Sequence, residues 1–104
     1  MSDAKKSLVV FVTYPATDDA RDFVDDSLLA FFALHPIGEL SGGGTFVSQE
    51  AELSCSDVDL FPPTEAAYHQ LVRKLRDMKM PPETVLRSDF GIIPLYDIPL
   101  PEPA

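Results

Sequence analysis

Cys55, His35 and His69 are the side chains of this chain best suited to nucleophilic or general-base chemistry. A thiol nucleophile needs an imidazole within hydrogen-bond reach, a third group to hold that imidazole, and donors for an oxyanion. The spacing assembles no such set. Cys55 alternates with Ser54 and Ser56 and shares its strand face with Ala51 and Leu53, so it reads as a small buried hydrophobe. His35 stands just before Pro36 and is expected to end a helix with its ring near the last carbonyls. His69 falls on the polar side of a helix. No catalytic residue is assigned, and a non-enzymatic protein is expected.

The carboxylates offer a second chemistry. Asp18-Asp19-Ala20-Arg21-Asp22 places acidic side chains one helical turn apart, a spacing that can share a hard cation. The run is similar to the DDxxD motif with which isoprenoid synthases hold magnesium and a diphosphate. That family is a large all-helical bundle with a second metal-binding helix, and a chain of 104 residues has no room for it. The run therefore reads as a solvated acidic helix face. Asp57-Val58-Asp59 begins like a calcium loop but continues Leu60-Phe61-Pro62, without the glycine and later oxygens such a loop needs. Gly42-Gly43-Gly44 could let a phosphate approach the backbone. A phosphate loop, however, ends in Gly-Lys-Ser/Thr at a helix start, whereas Thr45-Phe46-Val47 opens a strand. A hairpin or bulge is expected there, and neither metal nor cofactor is assigned.

The charge narrows the partners. Seventeen acidic residues against eight basic ones leave a formal charge of -9, which repels nucleic-acid phosphates and anionic lipid alike and suits a basic protein target. Arg73, Lys74, Arg76 and Lys79 gather on one helical segment, with His69, Arg73 and Arg76 on one stripe, but no basic domain or stacking aromatics accompany them. The apolar run from Leu8 to Val12 is too short for a membrane span or the core of a leader, and one cysteine cannot form an internal disulfide. A cytoplasmic location is expected, with neither nucleic acid nor membrane as partner.

The elements follow from periodicity. Leu8–Tyr14 is apolar on both alternating faces and predicts a central strand covered on both sides. From Asp18 to Leu34 the period becomes helical, with Ala20, Phe23, Val24, Ser27, Phe31 and Leu34 as the core stripe and Thr17 or Asp18 as cap. Ile37–Val47 and the alternating segment from Ala51 to Ser56 predict two strands paired through a turn near Ser48 and Gln49. Thr64 caps a second helix whose core stripe is Tyr68, Leu71, Val72, Leu75 and Met78, and Pro81-Pro82 stops it. Thr84–Arg87 and Phe90–Ile98 form the last extended region, where prolines 94, 99, 101 and 103 require an edge strand or a docked tail.

The order β-α-β-β-α-β is the split βαβ pattern of a ferredoxin-like α+β fold, an antiparallel sheet with two helices on one face. All 104 residues form one domain, with 1–6 as a flexible N-terminus and 99–104 as a proline-rich tail. On the first helix Leu29 falls opposite the core stripe, between Asp22, Asp25 and Asp26, with Phe32 on its flank. An apolar anchor ringed by aspartates predicts a partner-binding face. The expected function is a small acidic protein-binding module, an inhibitor or immunity-type protein that docks on a basic target through that helix. The alternative is a small-molecule-sensing regulatory domain working as a homodimer through the sheet face or the C-terminal tail.

Overall fold

The computed structural model describes residues 7–15, 18–47, 52–61 and 63–100. The expected cap at Thr17, the turn at Ser48 and Gln49, Ala51, the first six residues and 101–104 lie outside the described residues. Strand β1 (Leu8–Pro15) leads into helix α1 (Asp18–Leu34), then β2 (Gly38–Val47), β3 (Glu52–Leu60), helix α2 (Glu65–Asp77), β4 (Val85–Ser88) and β5 (Gly91–Pro94). One 3₁₀ turn, Leu95–Asp97, follows.

The five strands lie in the order β2-β3-β1-β4-β5, every neighbouring pair antiparallel. Strands β2-β3-β1-β4 with their two helices are the ferredoxin-like arrangement, an α+β fold, and β5 is an added edge strand. Both helices cover one sheet face: Leu8, Val10, Val12, Val58, Leu60 and Leu86 meet Val24, Leu28 and Phe32 of α1 and Tyr68, Leu71, Val72 and Leu75 of α2 in one continuous core.

Helix α2 matches its sequence reading closely. Thr64, in an extended conformation, accepts the Ala67 N–H at its side chain at 3.2 Å. The helix ends with Lys79 in the left-handed region (φ 59°). The Lys79 and Met80 amides there turn back to the Arg76 and Leu75 carbonyls at 2.9 and 3.4 Å, a Schellman closure with Met80 packed beneath. Lys79 is therefore the residue after the helix, not part of it.

Helix α1 differs from its expected orientation. The buried stripe is Val24, Leu28 and Phe32, whereas Phe23 and Leu34 are 66% and 78% exposed. The helix is turned by about one residue, roughly 100°. Apolar residues lie on two overlapping stripes of α1, and the sheet beneath selected the other one.

That sheet surface is itself the reverse of expectation. The alternation in β3 is real, but Ser54 and Ser56 face the core and are fully buried, while Leu53 and Cys55 are half-buried on the opposite face. Val58 and Leu60 share the parity of the two serines, and their burial sets the side on which the whole strand presents them. Strand β1 likewise is central in the sheet, but the described residues cover it on one side only: Val9 is 38% exposed on the other face beside Phe11 and Thr13.

The C-terminal region divides in two. Strands β4 and β5 form a hairpin across Asp89 and Phe90, with Gly91 at φ 114°, so the segment provides both an interior strand and the edge strand that proline allows. Beyond it, Leu95 and Ile98 are buried in the core. Arg76 donates to the Leu95 carbonyl at 2.9 Å and the Ile98 carbonyl at 2.6 Å, and the Tyr96 hydroxyl donates to the Met80 carbonyl at 2.6 Å. Through Leu100 the tail thus docks on its own chain along α2, and among the described residues no helix or tail covers the second sheet face.

Candidate functional site

Two buried serines under α1 need partners for their hydroxyls; α1 supplies one for Ser56 and β2 one for Ser54. The Ser56 hydroxyl donates to Asp25 Oδ1 at 2.7 Å, and because a carboxylate only accepts, the Tyr14 hydroxyl 2.7 Å away must donate to Ser56. Arg21 holds the other Asp25 oxygen at 3.0 Å and reaches Thr45 Oγ1 at 3.1 Å, which in turn lies 3.0 Å from Ser54 Oγ. The result is one polar seam joining α1 to β1, β2 and β3. Burial, together with the negative charge of Asp25, pushes the Tyr14 hydroxyl up to about 12. It stays a donor at neutral pH.

The seam decides which predicted partner-binding residues are available. Asp25 belongs to it, with its side chain only 16% exposed, and Phe32 is core, its ring edge-on to Phe31 at 5.2 Å. Neither lies on a free face. Asp22 and Asp26 are exposed, and Leu29 is 53% exposed, as the helical spacing predicted. The outward face also carries Phe23, Ala30, Ala33 and Leu34, although the helical spacing places Phe23 and Leu34 on the core stripe. Phe23 borders a shallow apolar recess of about 320 Å³, shared with Tyr14, Ala20, Met78 and Met80.

The basic residues are dispersed by the fold. Arg76 is consumed by the tail carbonyls, which breaks the predicted stripe with His69 and Arg73. Arg73 and Lys74 instead line a recess of about 340 Å³ with His35, Phe31, Gln70 and Asp77. The His35 ring lies 4.8 Å from that of Phe31, and the Lys74 ammonium 5.9 Å from the same ring. Lys74 stands in the last turn of α2, where a cation answers the negative end of that helix.

On the open face Cys55 is a thiol and not a thiolate. Its Sγ donates to Asp57 Oδ1 at 3.2 Å, and burial plus that carboxylate push it up to about 11. Thr13, Phe11, Val85, Arg87 and Ile92 surround it in a depression of about 410 Å³. Neither histidine lines this depression. Among the described residues no group of three His, Cys, Asp or Glu side chains could hold a metal ion, and no helix is long and apolar enough to cross a membrane. No protein-family model, curated protein or solved structure matches the chain.

Nothing in the helical spacing alone could have found the seam, because Ser54 and Ser56 read as the solvent side of a half-buried strand. The available signal was their shared parity with Val58 and Leu60.

Proposed function

We propose that this chain is a small protein-binding module that docks on a basic protein target through the outer face of α1 and blocks it. The observation that carries this reading is three large apolar side chains, Phe23, Leu29 and Leu34, exposed by 66%, 53% and 78% on the helix that also exposes Asp22 and Asp26. Apolar anchors supply affinity when a partner removes them from water, at about 25 cal/mol per Å² of apolar surface buried. The carboxylates beside them, in a chain of charge -9, speed encounter with a cationic surface and disfavour anionic ones. The recess beside Phe23 can receive one side chain of the target.

The test immobilises the intact chain and passes host extract over it. A basic protein retained at moderate salt and released at high salt is then purified and titrated against wild type, Leu29→Asp and Leu34→Asp. Each substitution is expected to weaken binding by at least tenfold, about 1.4 kcal/mol, with urea unfolding unchanged. Equal binding by all three proteins would remove α1 as the docking face.

A further inference from the structure

The open sheet face has a pattern that is visible only when residues are read across the strands. One row runs Ile92 on β5, Arg87 on β4, Phe11 on β1, Asp57 on β3 and Gly42 on β2. The next runs Pro94, Val85, Thr13, Cys55 and Gly44. Strand β1 is the middle of the five, and the rows are opposites about it. On the β4–β5 side stand a cation and bulky side chains, Ile92 being 70% exposed. On the β3–β2 side of these two rows stand the Asp57 carboxylate, the Cys55 thiol and two glycines, and the adjoining row, Val9 with Asp59 and Glu39, adds two carboxylates. A Cβ at Gly44 would meet nothing within 4 Å, and one at Gly42 only the Asp57 carboxylate at 3.6 Å.

We propose that a second copy of this chain packs on this face about a two-fold axis that runs parallel to β1 and directly above it. Rotation about that axis keeps each row at its own height while exchanging the two sides of the sheet. Arg87 then stands over Asp57 of the second copy, Ile92 over its Gly42, and Pro94 over its Gly44. Val85 meets the second Cys55, and Phe11 meets its own equivalent on the axis. Sheets pack face to face about 10 Å apart with interdigitated side chains, so a projecting Ile92 needs a hole opposite, and a glycine is one.

Complementarity of the face to itself selects the occupant. In the Phe11 and Thr13 rows one half carries the charge and size complement of the other half, which is what a two-fold contact between copies uses. Within one chain Arg87 and Asp57 are two strand spacings apart, about 9–10 Å, and Phe11 stands between them under the Arg87 guanidinium at 4.9 Å. The two-fold contact joins them twice per dimer. It leaves both α1 outer faces pointing away from the interface, so it stands or falls independently of target binding. The charge of -9 on each copy opposes association at low ionic strength, and salt near 0.15 M, with a Debye length of about 8 Å, screens most of that repulsion.

Sedimentation of the purified chain across a wide concentration range at that salt tests the arrangement, with Arg87→Asp, Asp57→Arg, Ile92→Glu and an equimolar mixture of the first two. Wild type is expected to dimerise. Each single variant is expected to dissociate at least tenfold more readily, while the mixture re-associates. In the mixed dimer the aspartate introduced in one copy faces the arginine introduced in the other, and the unaltered Asp57 of the first faces the unaltered Arg87 of the second. Ile92 is an exposed edge residue, so Ile92→Glu reports on the interface with the fold intact, as urea unfolding will verify. A wild type that stays monomeric overturns the proposal, as does a mixture that fails to re-associate or an Ile92→Glu protein that dimerises like wild type.

Discussion

Removing the Ser56 hydroxyl should destabilise this protein more than removing the hydroxyl of Tyr14, although Tyr14 is the larger residue and the two groups share one hydrogen bond. Ser56 stands in the middle of a directed chain: Tyr14 donates to it at 2.7 Å, and it donates to Asp25 at 2.7 Å. In Ser56→Ala the buried Tyr14 hydroxyl loses its acceptor and the half-buried Asp25 carboxylate loses a donor. A stranded buried donor costs about 1–3 kcal/mol, and a bond to a charged group is worth about 1.5–3 kcal/mol. Ser56→Ala is therefore expected to cost about 3 kcal/mol. Tyr14→Phe removes the donor along with its need for an acceptor and leaves the Ser56–Asp25 bond standing, so about 1 kcal/mol is expected. In the double variant no tyrosine hydroxyl is left stranded, and the combined cost should fall below the sum of the singles by about 1 kcal/mol. Urea unfolding measures all three as shifts of midpoint at constant slope. The thermal midpoint of Ser56→Ala should fall by more than about 10 °C, given about 4–8 °C per kcal/mol for a domain near this size. A Tyr14→Phe protein less stable than Ser56→Ala would refute the assigned direction of the chain, and a Ser56→Ala cost under about 0.5 kcal/mol would refute the seam itself.

Alkali and the tail give two further expectations. Tyr14 is raised from 10.0 to about 12 and Cys55 from 9.0 to about 11, so both bind their protons more tightly when folded. Their contributions are intact below the unfolded values and are lost as pH rises through the folded ones, so the urea midpoint should fall progressively from pH 9 towards 12, and Cys55→Ser should remove the earlier part of that fall. Arg76→Met keeps the aliphatic stem but frees the Leu95 and Ile98 carbonyls; it should cost about 2–4 kcal/mol and speed hydrogen exchange at the Leu95 amide, which bonds to the Thr84 carbonyl at 2.8 Å. Unchanged exchange there would show that the tail is held by Leu95 and Ile98 packing alone.

Periodicity and chain-breaking residues determined much of this protein unaided. The order of strands and helices, the Thr64 cap, the inward stripe of α2 and the confinement of the prolines to an edge and a docked tail all follow from local rules, because each rests on neighbours in sequence. The exposure of Asp22, Asp26 and Leu29 was legible for the same reason. What sequence left open was the choice between two equivalent faces. Helix α1 is apolar on both sides, with Val24, Leu28 and Phe32 on one and Phe23, Leu29 and Leu34 on the other, and its period supports either orientation. Strand β3 alternates, but alternation alone does not say which half is inside. Tertiary structure settled both together: Val58 and Leu60 had to enter the core, they drew Ser54 and Ser56 in with them, and the buried hydroxyls required Arg21 and Asp25 above them. Burial energy chose the strand's side, and the cost of unpaired polar groups then turned the helix.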